Sequence, residues 1–267
     1  MAVLPERKSS NRTIQILKAA EQGNYGVIAA IAYNLEQIFG LIRAAEEARS
    51  PLIIQFFPWA ITFWDGLIVR AAAEAASKAS VPISIHLDHA QDEADIKRAA
   101  DTLPIDSIMI GITTRLVEYC NERGIATEAE PGRIEGAGDG VVDTAGLEAS
   151  KTTPEEVDEF NATGVDSLAP EFGNMHGEFG ATDQLDFEQL EKIQKQIGKR
   201  VTIALHGTNG YPPNLMKRCI AAGAAKINVN RLVLDDYYID LQSQVGKVPH
   251  ITLIKQGVEK VVNQTKE

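Results

Sequence analysis

Short apolar runs alternate with amphipathic stretches along most of the chain. The apolar runs lack the period-two pattern of a strand with one face in water, and this is typical of buried parallel strands. The sequence predicts strands at 26–32, 52–57, 83–87, 107–110, 126–130, 167–169, 201–205 and 226–229. Apolar residues at helical spacing predict helices at 35–48, 66–78, 91–101, 154–163, 186–197 and 213–222.

Eight strands, most of them followed by helices, predict an α/β fold of the (β/α)8 TIM-barrel class. A chain of 267 residues has the length of one such domain, so we expect residues 1–267 to form a single barrel. A doubly wound open sheet is the alternative architecture. It is less favoured because no Gly-x-Gly-x-x-Gly pattern follows the first predicted strand.

The composition narrows the class of partner. The chain is 44% hydrophobic and 24% charged, with a formal net charge of -11 and acids scattered along it. This balance argues against nucleic acid or a membrane as a partner. The apolar stretch at 56–64 is interrupted by Pro58 and is shorter than the roughly 20 residues that span a bilayer. With only 2 cysteines and no signal-peptide pattern, we expect a cytoplasmic protein with reduced thiols.

Candidate chemistry is concentrated in the histidines. The chain has 5 of them, and four lie near the ends of predicted strands: His86, His89, His176 and His206. Catalytic groups of (β/α)8 barrels gather at the carboxyl ends of the strands, so these imidazoles are expected at one rim. Three imidazoles with one open position form a catalytic zinc site. His89, His176 and His206 are the predicted ligands; the alternative is that some only form hydrogen bonds in the core.

The segment His86-Leu87-Asp88-His89 places a carboxylate beside a predicted ligand. Strand alternation would put His86 and Asp88 on one face and His89 on the other, so we expect the strand to end before His89. His86 is then expected to orient a neighbour through its second nitrogen. Asp88 is predicted to transfer a proton as a general base, or alternatively to hold a histidine by a hydrogen bond.

Two acids end the fifth predicted strand. Glu128 and Glu130 are separated by Ala129 and therefore point to the same face. One of them is expected to lie near a second metal position or to orient a ligand, and Glu130 is the candidate metal ligand. The alternative is a structural pair between these acids and a Lys or Arg inside the barrel.

The loops after the seventh and eighth predicted strands are candidates for phosphate binding. In barrels, exposed backbone N–H groups of these two loops commonly bind phosphate. The first loop contains Gly207 and Asn209, and the second begins at Asn230 and Arg231. The Arg231 guanidinium offers two parallel hydrogen bonds to an anion.

Five motifs in this order resemble the class II, zinc-dependent ketose-bisphosphate aldolase family. The similarity extends from about residue 14 to residue 262, and the ordered set is more specific than any single motif. The motifs are His86-Leu87-Asp88-His89, Glu128-Ala129-Glu130-Pro131-Gly132, Gly173-Asn174-Met175-His176-Gly177, Leu205-His206-Gly207 and Lys226-Ile227-Asn228-Val229-Asn230.

The resemblance implies a role for each motif. The three histidines would bind Zn2+, and Asp88 would shuttle the proton of the C4 hydroxyl of the substrate. Backbone around Gly177, Gly207 and Asn209 would bind a monovalent cation (Na+ or K+) and the phosphate of dihydroxyacetone phosphate. Asn228 would contact substrate hydroxyls. Members of the family are homodimers or homotetramers, so a homo-oligomer is expected.

The chain departs from the family pattern in several places. An Asp that usually follows the fourth strand is missing, since Gly111 leads into 112–115. The acid of the mobile loop, which exchanges the C3 proton, is replaced by Gly138, with Glu135 as a possible substitute. Asn230-Arg231 stands where the family has Asp-Thr. An aromatic segment, Phe57-Pro58-Trp59, replaces a polar one after the second strand.

The resemblance predicts a lyase that cleaves fructose 1,6-bisphosphate to dihydroxyacetone phosphate and glyceraldehyde 3-phosphate. Tagatose bisphosphate or another ketose phosphate is the next candidate substrate. The departures leave a second hypothesis open: a metal- and phosphosugar-binding relative with little catalysis. A Schiff-base aldolase that uses Lys226 is a third hypothesis, which the three histidines disfavour.

Overall fold

The computed structural model describes residues 8–111, 114–132, 134–136, 151–176, 179–180, 184–198 and 200–267. Eight parallel strands close into a barrel. Their bounds are β1 Val27–Ile31, β2 Leu52–Phe56, β3 Ile83–Ala90, β4 Ser107–Ile110, β5 Ala126–Ala129, β7 Ser167–Leu168, β9 Thr202–Leu205 and β10 Ala224–Val229. Around the barrel they follow one another in the order β1, β10, β9, β7, β5, β4, β3, β2. The predicted TIM barrel is confirmed, and the open-sheet alternative is wrong because the sheet has no edge.

The helices lie between and after these strands. Their bounds are α1 Arg12–Gly23, α2 Leu35–Ala48, α3 Trp59–Thr62, α4 Leu67–Lys78, α5 Glu93–Thr102, α6 Thr114–Glu122, α7 Pro154–Thr163, α8 Phe187–Ile197, α9 Pro213–Ala221, α10 Arg231–Gln244 and α11 His250–Lys266. Among the described residues, no helix has the length and apolarity needed to cross a membrane.

A second, small sheet lies outside the barrel. It pairs β6, Glu135–Gly136, with β8, Met175–His176, in parallel. The apolar pattern did not predict these two strands, because two residues are too few to show a period. This pairing brings the loop after β5 next to the loop that carries His176.

Alternating residues of β3 face two different environments. Ile83, Ile85 and Leu87 are buried in the apolar core cluster, with at most 1% of their surface exposed. His86 and Asp88 alternate with them and make polar contacts inside the barrel. The apolar layer between strands and helices therefore positions a polar interior.

Helix α1 closes the amino-terminal end of the barrel. Its residues Ile16, Leu17 and Ala20 are buried in a cluster with side chains from β1, β2 and β10. Asn11 caps the helix by accepting a hydrogen bond from Ile14 N. The Asn11 amide also donates to the carbonyl oxygens of residues 106 and 124, at 2.7 and 2.9 Å. One side chain therefore joins the closing helix to the starts of β4 and β5.

Replacing Asn11 with alanine is expected to lower the free energy of unfolding by roughly 2–4 kcal/mol. The substitution removes a helix cap and leaves a buried carbonyl without its donor. The measurement is urea-induced unfolding followed by far-UV circular dichroism.

Asp92→Ala is the matched control, because Asp92 caps α5 on the exposed surface through bonds from Ala94 N and Asp95 N. It should cost only about 1 kcal/mol. Equal losses in the two variants would contradict a special role for the interior contacts of Asn11.

Candidate metal centre

A β-bulge in β3 brings Asp88 and His89 to the same site. Between Leu87 and Ala90 the register with β4 shifts, so that three steps along β3 match two along β4. His89 has a φ of 51°, in the left-handed region that a histidine seldom adopts. The bulge cancels the alternation of side chains at this point. The expectation that β3 ends before His89 is therefore wrong, since the strand continues to Ala90.

His176 is positioned by close packing between two backbones. Gly207, with a φ of 66°, lies so close to Met175 that a Cβ atom would overlap the backbone of that residue. Asn174 donates from Nδ2 to the carbonyl oxygen of His206 at 3.2 Å. These contacts join the loop before His176 to the loop after β9. Gly207 therefore has a structural reason to be glycine, besides its predicted place in the phosphate loop.

The three predicted ligands converge. The ring centroid of His89 lies 5.2 Å from that of His176 and 5.3 Å from that of His206. Each ring offers a nitrogen that lies within 4.8 Å of the corresponding atoms of the other two. His176 Nε2 and His206 Nδ1 are buried and have no hydrogen-bond partner. Buried nitrogens without a partner are costly, and a shared cation satisfies them, so this donor set fits zinc.

Glu130 lies at the same centre. Its Oε2 is 3.9 Å from His176 Nε2 and 3.6 Å from His206 Nδ1, and it has no hydrogen-bond partner. Burial raises the pKa of Glu130, but the neighbouring imidazoles of His176 and His206 outweigh it and the pKa is lowered. An ionised oxygen beside the three nitrogens is consistent with the predicted role as a metal ligand.

The second nitrogen of His206 is held by a buried carboxylate. His206 Nε2 donates to Glu128 Oε1 at 2.9 Å, so Nδ1 is the nitrogen left for a metal. The same Glu128 oxygen accepts a hydrogen bond from Lys226 Nζ at 2.8 Å. The pairing of Glu128 with a lysine inside the barrel, which the sequence left as an alternative, is therefore present. A carboxylate behind a ligating histidine fixes its tautomer and ring orientation.

Asp88 is buried, and only one of its two carboxylate oxygens accepts hydrogen bonds. Its Oδ2 accepts from Gln55 Nε2 at 3.2 Å and from Asn228 Nδ2 at 3.1 Å. Its Oδ1 has no hydrogen-bond partner and lies 3.5 Å from His86 Nε2. The carboxylate therefore has a fixed orientation and one oxygen free to accept a proton.

Charge interactions keep the two interior acids ionised. Burial raises the pKa of Asp88, but the adjacent His89 imidazole outweighs it, and the pKa is held well below its usual range. Burial likewise raises the pKa of Glu128, and the Lys226 ammonium together with the hydrogen bond from His206 lowers it further than burial raises it. Both groups are carboxylates, not carboxylic acids, at neutral pH.

The pKa values of the buried histidines are shifted in different directions. Burial lowers the pKa of His89 to about 4, so its ring is neutral and able to bind a metal at neutral pH. Burial, assisted by the charge of Lys226, also lowers the pKa of His86. Burial lowers the pKa of His206 as well, but the hydrogen bond with Glu128 outweighs it and the pKa is raised.

His86 lies one layer deeper than the predicted ligands. Its Nδ1 contacts Ser107 Oγ at 2.8 Å, and Thr13 Oγ1 of α1 donates to that hydroxyl at 2.9 Å. Its Nε2 lies 3.4 Å from Lys226 Nζ and 3.5 Å from Asp88 Oδ1. These contacts agree with the expected orienting role. The sequence did not identify Gln55 or Ser107, although a polar residue within an apolar strand was a usable signal.

The candidate phosphate loops are adjacent. Thr208 Oγ1 donates to the carbonyl oxygen of Asn228 at 2.5 Å, which ties the loop after β9 to the end of β10. Asn209 accepts from Phe179 N through its carbonyl oxygen, at 2.9 Å. Asn230 donates to Tyr33 Oη at 2.9 Å.

Arg231 and Gly177 also belong to the predicted phosphate-binding set. Arg231 is half exposed and pairs with Asp235 in its own helix, at 3.1 Å. Gly177 lies outside the described residues, as do Gly138 and the side chain of Glu135.

Space for a small molecule adjoins the imidazoles. A cavity of about 160 Å³ is lined by His89, Glu130 and the apolar side chains Met109 and Ile110. On another side, the Phe57 ring lies 6.1 Å from that of His89. The aromatic segment after β2 therefore packs directly behind a predicted metal ligand.

Comparison with known proteins supports one family. Residues 11–267 match the family model described as fructose-bisphosphate aldolase class-II. The chain is 48% identical over 268 residues to a Coccidioides immitis (strain RS) protein whose name assigns it provisionally as a fructose-bisphosphate aldolase, covering 93% of this chain and 88% of that one. It is 34% identical over 233 residues to the fructose-bisphosphate aldolase of Geobacillus stearothermophilus, covering 81% and 79%.

Comparison with solved structures supports the same family. The crystal structure of a Coccidioides immitis protein, provisionally titled a fructose-1,6-bisphosphate aldolase, superimposes with a TM-score of 0.93 at 46% identity, covering 97% of this chain and 94% of that chain. The YdjI aldolase from Escherichia coli K12 superimposes with a TM-score of 0.81 at 26% identity, covering 95% and 94%. With the histidine centre at the carboxyl end of a closed barrel, these matches place the chain in the class II fructose-bisphosphate aldolase family, whose members are lyases.

Proposed function

We propose that the protein is a zinc-dependent aldolase that reversibly cleaves fructose 1,6-bisphosphate to dihydroxyacetone phosphate and glyceraldehyde 3-phosphate. The observation that carries the proposal is the set of three imidazoles whose ligand nitrogens lie within 4.8 Å of one another, next to a buried carboxylate. His89, His176 and His206 would hold the ion, with Glu130 as a further ligand. Zinc bound there would supply Lewis-acid polarisation of a substrate carbonyl.

Asp88 is the proposed general base for the C4 hydroxyl of the ketose. Cleavage of the C3–C4 bond requires that hydroxyl to lose its proton as the aldehyde forms, and Asp88 Oδ1 is a buried acceptor without a partner. Gln55 and Asn228 hold the opposite oxygen, so the carboxylate does not rotate away from its substrate. In the direction of synthesis the same group returns the proton.

The phosphate of the three-carbon product is assigned to the loops after β9 and β10. Backbone N–H groups near Gly207 and Asn209 are the proposed donors, with Gly177 from the neighbouring loop and a monovalent cation as further members. Asn228 and Asn230 are proposed to contact substrate hydroxyls or phosphate. Arg231 joins this set only if it leaves its ion pair with Asp235.

A relative that binds metal and phosphosugar without rapid cleavage is the second candidate function. It is favoured by the absence of the family acid at Gly138. The homodimeric or homotetrameric state and the cytoplasmic location stay predictions from the resemblance and the composition.

Removing zinc is expected to abolish release of dihydroxyacetone phosphate from fructose 1,6-bisphosphate, and adding zinc back should restore it. The physical reason is that the ion, not a side chain, would act as the Lewis acid that polarises the ketose carbonyl. Product is measured with a coupled dehydrogenase assay before chelation, after chelation and after metal addition. Zinc content is measured on the same samples.

His206→Ala should lose both zinc and activity, while the exposed His250→Ala should keep both. Unchanged zinc content in His206→Ala would show that the ligand set is wrong. Zinc binding without cleavage of any ketose bisphosphate, in the wild-type protein, would favour the binding-only relative.

Asp88→Asn is expected to lower kcat for cleavage about 10²–10⁴-fold with zinc content unchanged, because the amide keeps the shape but does not accept the proton. The hydroxymethyl carbon of dihydroxyacetone phosphate becomes C3 of the ketose. Exchange of its hydrogen with solvent does not involve the C4 hydroxyl. It should therefore survive in this variant, and NMR in D2O measures it. Normal cleavage by Asp88→Asn would exclude Asp88 as the base.

A further inference from the structure

We propose that Lys226 is a positioning residue for the metal centre and acts through Glu128 on His206. The inference rests on the proposed zinc site and concerns a lysine that makes no contact with the predicted metal ligands themselves. Lys226 is fully buried, with 0% of its surface exposed, and lies on β10. Its Nζ donates to Glu128 Oε1 on β5 at 2.8 Å and lies 3.4 Å from His86 Nε2 on β3.

A single carboxylate oxygen of Glu128 accepts the hydrogen bonds from both Lys226 and His206. Glu128 Oε1 accepts from Lys226 Nζ and from His206 Nε2, at 2.8 and 2.9 Å. Two donors on one oxygen fix its position more firmly than either alone. The direction in which His206 Nδ1 faces the other two imidazoles therefore depends on where Lys226 holds Glu128.

Charge compensation between Lys226 and Glu128 also connects the lysine to the metal centre. A carboxylate inside a barrel without a cation is strongly unfavourable, and an ammonium without a carboxylate equally so. Glu128 compensates the charge of Lys226, whose ammonium would otherwise be unpaired behind His206 and would repel a divalent ion bound by that histidine. The pair therefore adds hydrogen-bond direction to His206 while presenting no net charge to the zinc.

The same contacts argue against Lys226 as a nucleophile. An amine that forms a Schiff base has to reach a substrate carbonyl, whereas Lys226 is enclosed and its nitrogen is engaged by Glu128. A positioning role explains why a lysine occupies this interior position, and it leaves Asp88 as the proton-transfer group.

The test is a double-mutant cycle on metal affinity, with wild type, Lys226→Met, Glu128→Gln and the double variant. Zinc affinity is measured by competition with a chromophoric chelator, and the visible spectrum of the Co2+ form reports ligand geometry. Lys226→Met should weaken zinc binding about 10–100-fold, the size of effect seen when a group behind a metal ligand is lost. The double variant should bind zinc at least as tightly as Glu128→Gln, because removing the lysine then removes an unpaired positive charge.

Ser167→Ala is the matched control for a merely structural effect. Ser167 is a buried barrel residue that pairs with Glu128 in the strand register, but its hydroxyl donates to the carbonyl oxygen of Thr202 at 3.2 Å and not to the Glu128 carboxylate. It should lower the unfolding temperature of the metal-free protein without changing zinc affinity or the Co2+ spectrum.

Several outcomes would overturn the inference. Zinc affinity in Lys226→Met within twofold of wild type would do so, as would losses that simply multiply in the double variant. If Lys226→Met does not fold, the charge-neutral double variant decides: affinity at least equal to that of Glu128→Gln supports the role, and a further tenfold loss contradicts it. Borohydride trapping of a substrate adduct on Lys226 would assign a nucleophile instead. A wild-type protein that binds no zinc would contradict the proposed metal centre itself.

Discussion

The buried ion pair between Lys226 and Glu128 is the interaction on which the interior of this barrel depends. Barrel interiors are usually filled by branched apolar side chains in layers, and a charge placed there must be compensated nearby. Here Lys226 spans from β10 toward both β5 and β3. Removing one partner of such a pair costs about 3–5 kcal/mol, because the other charge stays buried alone. The stability of each charged residue inside the barrel therefore depends on the presence of its partner.

The residues of the proposed metal centre are positioned in two ways, by the barrel strands and by loop packing. Asp88 and His89 lie on a barrel strand, and Glu128 and Asn228 lie on two others, so their positions follow from strand register. His176 lies outside the barrel and depends on contact between loop backbones. A centre assembled in this way has rigid groups for proton transfer and one ligand whose position depends on loop packing.

The sequence predicted much of the fold because buried parallel strands leave a strong local signal. All eight barrel strands were predicted close to their observed bounds, since their runs are mostly apolar, as in Leu52–Phe56, where Gln55 is the one polar residue. The convergence of His89, His176 and His206 was also predicted, because strand ends converge in a barrel. The bulge at His89 was not predicted, because the segment Leu87–Ala90 contains no glycine, the residue that most readily adopts a positive φ. The partners of Asp88 were missed for another reason: Gln55 and Asn228 are distant in sequence and meet only when the barrel closes.

The bulge explains how one strand places both a predicted metal ligand and the proposed base at the same site. Without it, the side chain of His89 would point into the helical layer, and Asp88 alone would face the interior. With it, His89 turns toward His176 and His206 while Asp88 keeps its bonds to Gln55 and Asn228. His89 Nε2 lies 3.9 Å from Asp88 Oδ2, so the base and the ligand are neighbours without sharing a hydrogen bond. The unusual backbone conformation at one residue thus brings together two side chains that strand alternation alone would have placed on opposite faces.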